Sequence, residues 1–253
     1  MWRRIKGVNM VERKKGCPEE YPVRLIVNDI QLAIFQLTKG DLTDWAYGYL
    51  FSERLIHKKE DLQQLWISED QSVIKVRISG DIERLLAFKE KHHTAGCGNG
   101  ITFFSMTDIS KFQKVECSLK TTQTKLMEKM RKFYDLSPLY LETGGMHGAC
   151  VLLPNHSLEI REDIGRHNAV DKIIGHCLQS DYNPKQLILL TTGRVSYEML
   201  SKVANYGIGI IASRTAATLQ AVQLAKVLDV EVVGYLRGKM GIVYTELGRV
   251  ETS

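Results

Sequence analysis

One thiol, two histidines and a recurring set of arginines carry the chemical content of this 253-residue chain. Cys97 lies in Thr94-Ala95-Gly96-Cys97-Gly98-Asn99-Gly100. Three alternating glycines strip side chains from around the thiol and open backbone angles closed to other residues. A packed cysteine behaves as a small hydrophobe among larger ones and has no need of this. A thiol that must reach another molecule does. His92 and His93, close by in sequence, favour the thiolate, which is the nucleophilic form. A glycine turn that merely contains a cysteine is the competing reading.

Thr143-Gly144-Gly145-Met146-His147-Gly148 is a second glycine-rich turn. There, His147 is either a hydrogen-bonded structural residue or part of a site. The stretch Glu162–Lys172 (EDIGRHNAVDK) is more unusual, with polar and charged residues gathered where a helix starts. At 3.6 residues per turn His167 and Asp171 share a helix face, as do Asn168 and Lys172. Asp171 is thereby placed to orient His167 for acid–base or ligand-binding work. A solvated helix face is the plainer reading, but His, Asn and Asp are mediocre helix formers.

Three loops repeat one chemical theme. Leu187–Leu190 runs into Thr191-Thr192-Gly193-Arg194-Val195-Ser196, Ile208–Ala212 into Ser213-Arg214-Thr215, and Val232–Leu236 into Arg237-Gly238-Lys239. The first two place hydroxyls, an arginine and a helix start together after a strand; the third supplies two cations. Helix N-terminal amides and guanidinium forks suit phosphate oxygens. With Arg166 these cations point to a polyanionic ligand. Singly, each is as well explained as a surface charge. No GxxxxGK[ST] loop, GxGxxG turn, GxSxG elbow or HxE…PCxxC deaminase pattern is present, so no known nucleotide or hydrolase motif accounts for them.

The elements that must position these groups follow from periodicity. Val23–Val27 and Gln31–Leu37 flank Asn28-Asp29 as a β-hairpin. Asp41 or Thr43 starts a helix to about Ile56 that buries Leu42, Trp45, Ala46, Tyr49 and Leu50. Ser72–Ile78 reads as a strand and Ile82–Lys91 as a helix, and the polar stretch Ser110–Thr122 connects two halves. The second half alternates short apolar strands with helices over about 166–179, 196–206 and 215–228. This predicts an α/β layer with a largely parallel sheet. Ligands of such sheets bind at the carboxyl ends of the strands.

Composition sets the outer limits. Hydrophobic content of 44% and charged content of 25% exclude collagen-like, disordered and disulfide-scaffold classes. The net charge of +5 resides in Arg3, Arg4, Lys6, Arg13, Lys14 and Lys15, opposed only by Glu12, and the rest of the chain carries equal numbers of bases and acids. Residues 1–18 are therefore a basic arm, and nucleic acid is not an expected partner. No apolar stretch of signal-peptide or membrane-spanning length follows it, so a cytoplasmic protein with reduced thiols and no membrane partner is expected. Five widely spaced cysteines without a CxxC pair indicate neither a disulfide framework nor an intrinsic metal.

Thr143–His147, Glu162–Lys172, Gly193–Met199 and Gly234–Gly238, in this order and spacing, resemble the formate dehydrogenase accessory sulfurtransferases, the FdhD/NarQ family. Asp41–Ile56 and Cys97 extend the resemblance over roughly residues 20–245. It implies an α/β fold: a cytidine-deaminase-like α/β/α domain at 116–253, without zinc residues, preceded by a smaller α+β domain at 19–115 that carries the Cys97 loop. It also implies a sulfur carrier that takes persulfide sulfur from a cysteine desulfurase. The sulfur passes to molybdenum in bis(molybdopterin guanine dinucleotide), the bound substrate, before insertion into the formate dehydrogenase catalytic subunit. Cys97 matches the persulfide cysteine. Arg237–Thr245, comprising Arg237, Gly238, Lys239, Met240, Gly241, Ile242, Val243, Tyr244 and Thr245, matches a cofactor-contacting stretch. His147, Arg166, His167, Asp171, Arg194 and Arg214 are further expected contacts, and a homodimer would suit a two-lobed cofactor. One departure stands out: many members carry CxxC in the loop, whereas Gly100 occupies the second position here. The alternative is thus a non-catalytic cofactor chaperone. A deaminase, suggested by fold likeness alone, lacks zinc ligands.

Overall fold

The computed structural model describes residues 16–79, 113–238 and 240–251. The basic residues 1–15, the expected helix over 82–91, the Cys97 loop and Lys239 lie outside them. Strands β1 (Tyr21–Val27) and β2 (Ile30–Leu37) form the expected hairpin. Asn28 and Asp29 both take positive φ, 47° and 65°, the paired left-handed geometry of a tight hairpin turn. Helix α1 (Leu42–Ser52), β3 (Leu62–Ile67) and β4 (Val73–Ile78) complete a four-stranded sheet of order β2-β1-β4-β3 with one covering helix. The buried face of α1 is the one its spacing predicts. Trp45 and Tyr49 stack at 5.1 Å, and the Phe35 ring meets both edge-on. The helix stops at Ser52, short of Ile56, because Arg54 turns left-handed (φ 58°) and the amides of Leu55 and Ile56 fold back onto the Leu50 carbonyl. Asp41 occupies the N-cap position without a side-chain cap bond.

The second half begins with β5 (Thr121–Thr122), α2 (Gln123–Asp135) and α3 (Pro138–Thr143). It continues through β6 (His147–Leu152), β7 (Leu158–Asp163), α4 (Arg166–Gln179), β8 (Ile188–Thr191) and α5 (Tyr197–Tyr206). β9 (Ile210–Ser213), α6 (Leu219–Leu228), β10 (Glu231–Arg237), β11 (Met240–Val243) and β12 (Val250–Glu251) close it. The six-stranded sheet has the order β11-β10-β9-β8-β6-β7. β8, β9 and β10 pair parallel, whereas β6 pairs antiparallel with both β7 and β8, and β11 with β10, which corrects the expectation of a largely parallel sheet. Hairpin loops too short for a crossover force this at both edges.

Side-chain parity builds three layers. Ala149, Val151, Leu189, Ile211 and Val232 face α4, α5 and α6, whereas Cys150, Leu152, Leu190, Ile210, Ala212 and Val233 face Leu126, Met130 and Phe133 of α2. The α/β/α sandwich is as expected. Val115, placed above in the first unit, is buried in the second core and bonded to the Leu228 carbonyl. Helix α6 starts at Leu219 rather than near 215, because Ala217 is held in a bridge to Val195 and the extended Thr218 caps the Ala221 amide. Among the described residues no helix is long and apolar enough to cross a membrane.

The two halves are joined where α1 crosses α4. A Cβ on Gly48 would lie 1.7 Å from the Asp171 carbonyl oxygen, and one on Gly175 would lie 1.8 Å from that of Asp44. Only glycine lets the backbones touch. Beside the crossing, Lys202 Nζ pairs with buried Asp171 at 2.6 Å while the Ser52 hydroxyl donates to Asp171 at 2.7 Å. Lys172, 1% exposed, pairs with Asp163 at 2.9 Å and donates to the Thr38 carbonyl at 3.0 Å. Arg161 and Gln179 both bind the Asp44 carboxylate at 2.7 Å.

Gly175→Ala drives a methyl group into backbone that has no flexible side chain to yield. Chemical denaturation is expected to show a loss of about 3 kcal/mol or more, or no folded protein. Lys202→Met leaves Asp171 buried and unpaired at a cost of about 3–5 kcal/mol. Adding Asp171→Asn should restore part of that loss; a strictly additive double variant would contradict the pairing.

Candidate functional site

β6 runs opposite to its neighbours, so its first residue, His147, lies at the same sheet edge as the ends of β7 to β10. That edge also receives Arg166 and His167 from the first turn of α4, Arg194 after β8, Arg214 after β9 and Arg237 at the end of β10. Gly193 is the close-approach point. A Cβ there would stand 2.8 Å from Arg166 Cβ and 3.5 Å from His147 Nδ1, so glycine lets both side chains lie over the loop. The loops are stitched to one another. The Ser213 hydroxyl donates to the Gly193 carbonyl at 2.8 Å, and the Arg214 amide donates to the Thr191 carbonyl at 3.0 Å.

The EDIGRHNAVDK stretch divides sharply in role. Glu162 accepts from the amides of Leu139 and Tyr140 at 3.0 and 2.7 Å, tying down the start of α3. Asp163 accepts from the Thr38 and Gly165 amides and from the Asn168 side chain, and Asn168 also donates to the Gln36 carbonyl. Asp171 points into the junction with α1, not at His167, which corrects the expected His–Asp pair. Positions 167 and 171 share a face, but Lys202 and Ser52 claim the carboxylate. His167 Nε2 instead faces Glu198 Oε2 at 3.3 Å and Ser196 Oγ at 3.4 Å. Only Arg166 and His167 of the stretch serve the sheet edge.

Burial first, then the Lys202 and Arg166 charges, push His167 down to about 3, despite Glu198 beside it. Burial and Arg166 likewise lower His147. Two neutral imidazoles therefore flank the cations at pH 7. Among the described residues Arg166 Nε is shielded from solvent and has no hydrogen-bond partner. Ser196 caps α5 and Thr218 caps α6, whereas α4 has no side-chain cap at Gly165, whose own amide donates to Asp163. Donors of this kind suit an anion.

The matched stretch 237–245 splits as well. Arg237 and Gly238 are exposed at the sheet edge, with Arg237 5.6 Å from the Tyr235 ring centre. β11 then carries Gly241, Ile242 and Val243 back along β10. Tyr244 packs against Gly234, and the buried Thr245 hydroxyl donates to Glu231 at 2.9 Å, at the far end of β10. Thr245 thus supports the sheet away from the cation cluster.

Burial raises the thiols of Cys150 and Cys177, the latter to about 12, and both are core residues. Cys97 lies outside the described residues. No group of three or more His, Cys, Asp or Glu side chains among the described residues is arranged to hold a metal ion. A separate cavity of about 560 Å³ lies at the opposite sheet edge, lined by Arg54, His57, Lys114, Lys185 and Asn205 among others. Its lysines are already paired, Lys185 with Glu116 and Lys114 with Asp229, so the open donors are at the His147–Arg166 edge. Two neighbours of the candidate site carried little or no signal in the sequence. Glu198 had only its place in Gly193–Met199 as a signal, and Tyr134, beneath Arg214, had none.

The FdhD/NarQ family model matches residues 18–251. The chain is 34% identical over 252 residues to the sulfur carrier protein FdhD of Halalkalibacterium halodurans, spanning 98% of this chain and 93% of that one. It is 35% identical over 244 residues to the sulfur carrier protein FdhD of Wolinella succinogenes, spanning 96% and 85%. A crystal structure of a candidate formate dehydrogenase accessory protein from Desulfotalea psychrophila superposes with a TM-score of 0.74 at 26% identity, covering 92% of this chain and 90% of that one.

His167 is neutral in the fold and ordinary when unfolded, so the unfolded chain binds the extra proton between about pH 6.5 and 3. Stability is therefore expected to fall as pH drops below 6.5. Thermal midpoints measured from pH 7.5 to 5 should decline, with a shallower decline in His167→Gln. Equal slopes would mean that the imidazole is not held neutral.

Proposed function

The chain belongs to the FdhD/NarQ family, and from that membership we propose that it is a sulfur carrier serving formate dehydrogenase. In this reading Cys97 is the carrier. Its thiolate attacks the outer sulfur of a cysteine desulfurase persulfide, the desulfurase thiolate leaves, and Cys97 holds the sulfur as its own persulfide. The acceptor is molybdenum in bis(molybdopterin guanine dinucleotide), a substrate whose phosphates suit the sheet-edge cations. Arg166, Arg194, Arg214 and Arg237 would bind the phosphates, the N-terminus of α4 would add its dipole, and the neutral His147 and His167 would offer ring nitrogens as donors or acceptors.

The observation that carries the ligand half of this proposal is Arg166. Its buried Nε has no acceptor among the described residues, above a loop that glycine keeps open. Covalent connectivity allows the sulfur half. Ser79 and Gln113 bracket Cys97, and the 18 residues from Ser79 to Cys97 can span about 60 Å when extended. Gly100 in place of a second cysteine favours the other reading, a cofactor chaperone that transfers no sulfur.

Incubation with a cysteine desulfurase and cysteine, followed by intact mass measurement, should show one added sulfur that Cys97→Ala abolishes. Equal labelling of the variant would exclude Cys97 as the carrier. If Cys97→Ala still activates formate dehydrogenase while Arg166→Gln does not, the chaperone reading is the correct one.

A further inference from the structure

The cations at the sheet edge differ in what holds them. Arg194 and Arg237 are exposed. Arg214 has a seat: its guanidinium carbon lies 4.4 Å above the centre of the Tyr134 ring. Tyr134 is in the last turn of α2, on the sheet face opposite α4, α5 and α6. Its ring meets that of Tyr140 edge-on at 4.8 Å and 62°, and the two phenols are hydrogen-bonded, which raises the Tyr140 hydroxyl. Tyr140 is anchored in turn, because its amide and that of Leu139 are bound by the buried Glu162 carboxylate. A continuous chain of contacts thus runs from Glu162 through Tyr140 and Tyr134 to Arg214. The backbone of Arg214 is fixed from the other side by its amide bond to the Thr191 carbonyl and by the Ser213 hydroxyl on the Gly193 carbonyl.

A guanidinium stacked on an aromatic face spends its planar surface and keeps its N–H edges. Among the described residues no carboxylate pairs with Arg214, so those edges are unspent. A structural staple would usually end in a carboxylate or a carbonyl. An orientation defined on both sides together with an open donor edge is the arrangement that anion recognition requires.

We propose that Tyr134 is a positioning residue for anion binding: backed by Tyr140, it holds the Arg214 guanidinium flat so that its N–H edge meets a phosphate or pyrophosphate group of the ligand. This rests on the polyanion-binding reading above and adds to it a residue from the layer beyond the sheet. Arginine rather than lysine is required at 214, because an ammonium can neither stack as a plane nor present a fork.

The test is guanosine diphosphate affinity of the full chain, measured by calorimetry alongside thermal midpoints. Arg214→Gln is expected to weaken binding about tenfold, the loss of one charge-assisted contact. Tyr134→Leu should weaken it about fivefold, and Tyr134→Phe, which retains the aromatic face, should restore it to within twofold of the parent. The double variant Tyr134→Leu/Arg214→Gln should bind no worse than Arg214→Gln alone, within twofold, since the tyrosine acts only through the arginine. Losses that multiply, to about fiftyfold, would overturn the proposal, as would unaltered binding by Tyr134→Leu. Should Tyr134→Leu fail to fold, Arg214→Lys decides: about fivefold or greater weakening supports the seat, and parental affinity overturns it. A parent chain that does not bind guanosine diphosphate at millimolar concentration removes the ligand reading and this inference with it. Binding by the parent with multiplying losses removes only the inference.

Discussion

The contact between Gly48 and Gly175 sets the geometry of the whole molecule. Two helices from different sheets cross with their backbones touching, because neither glycine carries a Cβ to hold them apart. Close approach brings the end of β2 onto the start of α4, so that Thr38 reaches Asp163, Ile164 and Lys172. It also encloses the Asp171–Lys202 and Asp163–Lys172 pairs in a buried junction. Buried ion pairs of this kind add little net stability, since desolvation offsets most of the attraction. A slip of α1 along α4 would leave both pairs intact but would separate Arg161 from Asp44 and take the Ser52 hydroxyl from Asp171. The first turn of α4 is thereby fixed, and with it the positions of Arg166 and His167.

A single stretch of sequence serves scaffold and site together. In EDIGRHNAVDK the acids, the asparagine and the lysine are consumed by internal partners, whereas the arginine and histidine between them are left for the sheet edge. The two jobs are adjacent because they share one helix start. Capping and anchoring groups must surround the N-terminus of α4, and the side chains of its first turn then project toward whatever that N-terminus faces. An unusual composition thus reflects dense internal bonding as much as ligand chemistry.

The electrostatic character of the site follows from the same economy. Exposed and stacked arginines, imidazoles kept neutral by burial and by those cations, and a helix end without a side-chain cap make this edge electropositive, with no metal-holding cluster among the described residues. A body with balanced charge can do this because balance over the chain does not mean balance at one edge. The acids of EDIGRHNAVDK are drawn into the junction and the α3 start, which leaves Glu198 as the carboxylate beside His167.

Much of the architecture was legible in the sequence. Hairpin turn chemistry, alternating apolar runs and helical spacing placed β1, β2, α1, α4, β8, α5, β9, α6 and β10, and the strand-end rule placed the candidate ligand edge. These are local or short-range signals, read from the chemistry of consecutive residues. Tertiary structure alone decided the rest. It settled which residues of a polar motif face one another, that Asp171 belongs to Lys202 and His167 to Glu198, that Tyr134 underlies Arg214, and that Thr245 lies at the far end of β10. Helical periodicity states which face a side chain shares, but not what the neighbouring element presents to that face. That depends on how closely the elements approach, and here the approach is set by two glycines distant in sequence.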